Sequence, residues 1–423
     1  MDKTNIDILP QDEKTFFSVD LSDRLQLVDR ADVKQKLYKF DSESNVYDII
    51  SYFLELKSSD DPFYIVDLGE VQRKYQLFTK LLPRVQPFYA IKSNPDPMLI
   101  SVLAKLGSGF DCASKDEIIL AKSTGVPLEK LLYANPVKNN ESLQFARSQD
   151  VDFLTFDSCC ELDKIKLFHP DAKCIIRIKV DDSGSECRFN SKFGCALDEA
   201  QELLELAKID KLTIVGVSFH CGSNCKVAGK FDSAIRDARK VFDLARTFGF
   251  TMNILDIGGG FPSVDEGNIT LEHMAHEINS AIDQYFGDLS NVKYICEPGR
   301  AFCASSHTLV ATIIGIKNVC NENGINEYKY TLNDGVYGSF NCIIFDHAKP
   351  QILPFNERTG ETRKSTLFGP SCDSIDVITE DVQLPKLSVG DRIFVKNFGA
   401  YTKASSSSFN GFRTTLNYYI IKI

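Results

Sequence analysis

The chain has 423 residues, a mass of 47.4 kDa, a formal net charge of −10 at pH 7 and a sequence pI of about 5.3. That length suits two or three domains, and 43% hydrophobic with 25% charged residues excludes wholesale disorder. The acidic balance argues against nucleic acid or an anionic membrane as the main partner.

Thirteen cysteines lie between Cys112 and Cys372 without a single CxxC pair, a pattern of reduced thiols in a cytoplasmic protein. The N-terminus, Met1 to Asp7, has no apolar core of a secretory signal. The longest apolar run, Leu309 to Ile316, is far short of the ~20 residues that span a bilayer.

In chain order, the first 60 residues read as polar and irregular, with Asp/Ser clusters at Asp41–Ser44 and Ser58–Asp61. Eight short runs rich in β-branched and aromatic residues follow and predict strands: Pro87–Ile91, Gly109–Ala113, Leu131–Ala134, Phe153–Phe156, Cys174–Val180, Ile214–Phe219, Ile254–Ile257 and Tyr294–Ile295. Helical stretches such as Pro97–Leu106, Lys115–Thr124 and Phe231–Phe248 lie between them. Alternation of this kind predicts parallel strands with crossover helices.

Nearly every run ends in a polar or glycine-rich group: Lys92, Asp111, Asn135, Asp157, Arg177, His220, Gly258–Gly260, then Glu297 and Arg300. Functional groups at the ends of eight strands predict an α/β fold, a TIM-like (β/α)8 barrel over 62–306, and not an open doubly wound sheet with one switch point. Beyond residue 306 the strand-like runs Thr308–Ile316, Tyr328–Leu332, Phe340–Phe345, Arg392–Phe398 and Thr414–Ile421 follow one another without long helices, separated by turns at Asn321–Gly324, Asn333–Gly335 and Pro370. They predict a second, mostly antiparallel β-barrel or sandwich domain, formed by 307–423 together with 1–61.

Several strand-end residues carry usable chemistry, and each alone has a plainer reading. Lys92 suits a Schiff base, because an amine near low-dielectric walls loses its proton more readily; taken alone, a surface lysine just past a strand end is the plainer reading. Gly258-Gly259-Gly260 lets backbone N–H groups approach a phosphate, or simply makes a tight turn. His220 suits stacking on a planar ring or moving a proton, or a hydrogen-bonded core position. Glu297 suits an ion pair with a heterocyclic nitrogen, or a salt bridge to Arg300 or Arg177. Cys372 and Asp373 place a thiol and a carboxylate on one loop, fit for proton donation and cation binding, or simply a small buried cysteine in a turn. The segment Glu272-His273-Met274-Ala275-His276-Glu277 lacks the HExxH order, and no metal is assigned to it.

Taken together, the segments Pro87–Asn94, Gly109–Ser114, His220–Ser223, Asp256–Pro262, Glu297–Arg300, Asn333–Asn341, Phe345–His347, Gly369–Asp373 and Gly399–Thr402 resemble the ornithine decarboxylase branch of the fold-type III pyridoxal phosphate decarboxylases, from about Pro62 to the C-terminus. The resemblance implies that Lys92 carries pyridoxal 5'-phosphate and that Glu297 pairs with its pyridine nitrogen. It implies that His220 stacks on the ring with Arg177, Asp111 and Glu117 around it. Ser223, Gly258, Gly259, Gly260, Gly299, Arg300 and Tyr401 would hold the phosphate, Cys372 would return a proton to the α-carbon, and Phe345, Asp346 and Asp373 would line the distal end of the substrate. It further implies a homodimer with shared active sites, a possible antizyme-like regulator as partner, and ornithine as substrate. Lysine, arginine or a non-catalytic regulator are the alternatives, while Cys372-Asp373-Ser374 departs from the Cys-Glu-Ser of the diaminopimelate branch. Phe345 stands where the family commonly has Tyr, and Asn224 where it commonly has Gly.

Overall fold

The structure is a computed structural model and describes residues 36–225, 227–264, 269–320, 326–356 and 361–423. The chain divides into two compact units, Gln72–Phe302 and Met1–Val71 with Cys303–Ile423. The divisions fall about ten residues after the predicted start of the barrel and four before its predicted end. The reason for the first is that strand Phe63–Asp67 pairs with His307–Cys320 and Leu416–Lys422, in the sheet of the other unit.

The first unit is a closed barrel of eight parallel strands: β1 (Val85–Ala90), β2 (Gly109–Cys112), β3 (Leu131–Tyr133), β4 (Phe153–Phe156), β5 (Lys173–Arg177), β6 (Thr213–Ser218), β7 (Ile254–Asp256) and β8 (Lys293–Cys296). Sequential neighbours pair throughout, and β8 returns to β1 through Tyr294–Val85 to Cys296–Pro87. Each of the eight predicted runs contains or overlaps one of these strands. Phe88, Leu132, Ile175, Ile254 and Ile295 form one apolar cluster. Strands from around the whole ring can meet only in its lumen, which is therefore a packed core.

Helix Pro97–Leu106 shows why the crossovers form where they do. Asp96 caps it by accepting from Met98 N at 2.9 Å and Leu99 N at 3.1 Å, Pro97 stands in the first turn, and Gly107 closes it at φ +97°. A buried ion pair ties two strand ends together. Lys138 Nζ donates to Thr155 O at 2.7 Å and Asn135 O at 2.9 Å and pairs with Glu161 Oε1 at 2.9 Å; both side chains are almost wholly buried.

The second unit is a nine-stranded, mostly antiparallel sheet running Leu37–Phe40, Leu416–Lys422, Phe63–Asp67, His307–Cys320, Asn326–Leu332, Arg363–Phe368 and Val377–Leu384, with Arg392–Val395 and Ile352–Pro354 branching from it. Two expectations are corrected here. The run Phe340–Phe345 is not a strand: Ser339–Asn341 is a 3₁₀ turn and Cys342–Phe345 a short helix, in which Asn341 Nδ2 donates to Gly338 O at 2.6 Å. Residues 36–60 are not irregular: they hold strand Leu37–Phe40 and helix Val46–Leu56. Asn45 accepts from Tyr47 N at 2.8 Å while Asp48 accepts from Asn45 N at 2.9 Å, a reciprocal cap hidden inside a polar stretch. The helix buries Ile49, Ile50 and Phe53 against Phe63, Phe394 and Ile420, with Phe53 stacked on Tyr418 at 4.6 Å. Residues 1–35 and the expected Asn321–Gly324 turn lie outside the described residues.

Glu161→Ala would leave the Lys138 ammonium buried without its counter-charge. The expected cost is about 3 kcal/mol or more, measured as a lowered denaturation midpoint with unchanged slope; an unchanged midpoint would show the pair to be dispensable.

Candidate functional site

The carboxyl ends of the barrel strands gather the polar residues. Lys92 sits in the turn after β1 and forms an ion pair with Asp111 of β2. The lysine side chain is 42% exposed and the aspartate 1%, so the amine faces outward from a fixed, desolvated anchor. Asp111 Oδ1 has no hydrogen-bond partner among the described residues.

On the strands next to β1 lies a carboxyl pair. Asp256, the last residue of β7, accepts from Gly258 N at 2.9 Å through Oδ1, and its side chain is hydrogen-bonded to the Glu297 carboxyl. Glu297 follows β8, and its N–H donates to Gly258 O at 2.7 Å. Burial pushes the Asp256 carboxyl up to about 7, and burial together with the Asp256 and Asp111 charges holds Glu297 well above the usual carboxylate range. Two buried carboxyls side by side resist double ionisation.

His220 follows β6. Its Nδ1 accepts from Gly222 N at 2.9 Å, which leaves the proton on Nε2. Surrounding protein atoms, then the Arg177 and Lys92 charges, hold the ring well below its ordinary pKa, so it is a neutral imidazole. Phe189 meets it edge-on at 4.9 Å. Arg177 closes β5, with its guanidinium 5.1 Å from the Phe193 ring centroid.

The glycine loop is required sterically. Gly258 at φ +64° crosses so close to the Phe219 carbonyl that no Cβ fits, and a Cβ at Gly259 would lie 2.9 Å from His220 Nε2. Beside it, Arg300 Nη2 donates to Ser223 Oγ at 3.1 Å. Asn224 adopts φ +53°, a left-handed backbone that asparagine tolerates and glycine favours. Gly299 lies against Ser93: a Cβ there would come within 2.8 Å of the Ser93 Cβ. Glu117 accepts from Ala113 N at 2.5 Å in the first turn of helix Lys115–Ser123 and is pushed up to about 7 by burial. The arrangement offers an outward amine, a buried acid pair, a neutral imidazole and an anion-binding corner on one rim. Asp256 has a prominence that spacing alone does not show; its signal was the position immediately before Ile257-Gly258.

The remaining candidates lie in the second unit. Cys372 is exposed and donates its N–H to Asn410 Oδ1 at 3.0 Å. Asp373 Oδ2 accepts from the Tyr337 hydroxyl at 2.6 Å and Oδ1 from Ile375 N at 3.1 Å; the Tyr337 bond keeps the carboxyl below its usual range. Asp346 is buried at the end of helix Cys342–Phe345, whereas Phe345 is 67% exposed. Tyr401 adopts φ +55°. Tyr337 carries no role in the sequence reading, although it lies in the Asn333–Asn341 segment. Within the segment to which no metal is assigned, His273 lies in the first turn of the helix that Thr270 caps, and Glu277 accepts from Asp232 N at 2.9 Å.

The raised Asp256 carboxyl sets a pH dependence. The folded, cofactor-free protein keeps a proton that the unfolded chain releases near 3.8, so this stabilisation is complete below pH ~4 and lost as pH rises through about 7. His220, lowered on folding, works in the opposite direction. Asp256→Asn is expected to remove the descending contribution, seen as a flatter fall in unfolding free energy between those limits; an identical profile in both proteins would contradict the assignment.

A family model described as "Pyridoxal-dependent decarboxylase, pyridoxal binding domain" matches residues 68–304. The chain is 45% identical over 381 residues to ornithine decarboxylase of Mus musculus, covering 87% of this chain and 82% of that one. It is also 45% identical over 368 residues to antizyme inhibitor 2 of Xenopus laevis, covering 85% and 81%. Among solved structures, the arginine decarboxylase of Paramecium bursaria Chlorella virus superposes with a TM-score of 0.84 at 35% identity, covering 89% of this chain and all of that one. The match to residues 68–304 and the high identity over most of the chain show that it belongs to the ornithine decarboxylase family of pyridoxal-dependent decarboxylases.

Proposed function

We propose that the protein is a cytoplasmic, homodimeric pyridoxal 5'-phosphate-dependent decarboxylase that converts L-ornithine to putrescine and carbon dioxide. The observation that carries this reading is Lys92: an accessible amine held by a buried carboxylate on the rim that also bears Glu297, Asp256 and His220.

Pyridoxal phosphate suits this donor set. Lys92 offers the nucleophilic amine, and the Arg300–Ser223 pair beside Gly258–Gly260 suits a phosphate, with Gly299 and Tyr401 assigned to it by resemblance. Asp111 Oδ1, buried with no hydrogen-bond partner among the described residues, calls for a further polar group on that rim. When bound, the cofactor supplies an electron sink for the bond to the departing carboxylate.

The chain's own residues account for the rest. The proton that burial keeps on the Asp256–Glu297 pair is the one Glu297 would share with a ring nitrogen, in a site dry enough for that ion pair to count. His220, neutral and fixed through Nδ1, offers its ring face without adding charge. Cys372 would deliver a proton from Sγ to the α-carbon, and Asp346 with Asp373 would hold the distal ammonium. The exposed Phe345 and Ile375, in the unit that carries Cys372, favour a dimer that covers them.

Likeness to Xenopus antizyme inhibitor 2 at the same identity supports a second reading, a non-catalytic partner of an antizyme-like regulator. Carbon dioxide release from ornithine, lysine and arginine, measured side by side with pyridoxal phosphate present, separates the readings. Ornithine is expected to turn over fastest and Lys92→Ala to fall to background. Release from none of the three would favour the regulator, and faster release from lysine or arginine would reassign the substrate. Cys372→Ala is expected to lower kcat about a hundredfold, the worth of a positioned proton donor. Asp346→Ala should instead raise the ornithine KM roughly tenfold, the worth of a charged hydrogen bond; an unaltered KM would remove Asp346 from the substrate wall.

A further inference from the structure

Asp376 is 2% exposed and has no part in the chemistry described above. Its Oδ1 accepts from Val336 N and its Oδ2 from Ser371 N, at 2.8 and 2.9 Å. Its backbone oxygen accepts from Gly369 N at 2.9 Å, and its N–H donates to Asp373 O at 3.2 Å. A Cβ at either Gly335 or Gly369 would overlap the Asp376 carboxylate, so both glycines are where the two loops close around it. One loop goes on directly to Tyr337 and the other to Cys372 and Asp373.

We infer that Asp376 is a positioning residue that sets the Tyr337–Asp373 hydrogen bond, and through it the placement of the carboxylate assigned to the substrate's distal amine. Tyr337 is one residue beyond the first N–H that Asp376 holds, and Asp373 is two beyond the second. A single carboxylate thus fixes both partners of a 2.6 Å contact that neither loop could set alone. Stacking of Tyr337 on Phe409 at 4.3 Å fixes the ring plane and Ser407 N donates to the Tyr337 carbonyl at 2.9 Å, while the Asp376 contacts join the Tyr337 loop to the Asp373 loop and set their separation. An asparagine at 376 keeps the volume but turns an N–H₂ group towards one of the two backbone donors, which releases one loop.

The link to the distal amine rests on the decarboxylase reading, and the test separates the two. Ornithine kinetics are measured on the holoenzyme of the parent, Asp376→Asn, Tyr337→Phe and the double variant. Each single change is expected to raise KM about tenfold with much less effect on kcat, and the double variant should be no worse than the worse single one. An unchanged KM in Asp376→Asn, or effects that multiply in the double variant, would overturn the inference; a loss of kcat alone would reduce Asp376 to a structural residue and overturn it equally. Where Asp376→Asn does not fold, or the parent releases no carbon dioxide and the decarboxylase reading falls, amide exchange in the unaltered chain still decides whether Asp376 holds the two loops. Val336 and Ser371 N–H are expected to exchange far more slowly than their loop neighbours, and exchange at open-loop rates would overturn the arrangement.

Discussion

Closure of eight parallel strands into one ring is the constraint on which the rest depends. Once every strand runs the same way, every carboxyl end lies on the same rim, and residues as distant in sequence as Lys92 and Glu297 become neighbours. The packed lumen of Phe88, Leu132, Ile175, Ile254 and Ile295 keeps that rim rigid and dry from below. Charged groups placed there are desolvated. Asp256, Glu297 and His220 are accordingly displaced toward their neutral forms, while Lys92 keeps its charge partner in Asp111. The reactive character of the site is thus a consequence of where the strands end.

A recurring device holds the loops of both units. A buried aspartate accepts backbone N–H groups at a turn, and at Asp334 and Asp376 a glycine leaves room for the carboxylate. Asp256 does so with Gly258, and Asp334 with Gly335 and Ser339, both at 2.8 Å, while its other oxygen takes the Thr415 hydroxyl. Asp376 does so with Val336 and Ser371, against Gly335 and Gly369. In each case the carboxylate replaces a solvent shell with fixed donors, and the adjoining loop acquires one conformation. Tyr337 and Asp373 gain their positions from this device.

Much of the barrel was legible because its signal is local and repeated. Short β-branched runs ending in a charged or glycine residue survive any error in a single element, and all eight contain or overlap observed strands. Legibility failed where the deciding interaction is distant or the pattern is shared by two conformations. Phe340–Phe345 has the apolar content of a strand, yet an asparagine amide bonded to the Gly338 carbonyl turns it into helix. Helix Val46–Leu56 hides in a polar stretch because its cap, Asn45 with Asp48, looks like loop composition. Strands Arg363–Phe368 and Val377–Leu384 carry charges on their exposed faces and escaped notice. Lys92, Asp111, His220, Glu297 and Arg300 stand out as strand-end residues. Asp256 shows only as the first residue of the segment Asp256–Pro262, and Asp376 not at all, since their importance comes from contacts that no side-chain motif records.

The central claim is that the ε-amino group of Lys92 carries the cofactor. Its most direct test is borohydride reduction of the purified protein after incubation with excess pyridoxal phosphate, followed by peptide mass analysis. The account predicts one phosphopyridoxyl group per chain, on the peptide containing Lys92, together with loss of visible absorbance. A colourless protein with an unmodified Lys92 peptide, or a label found on another lysine, would contradict it.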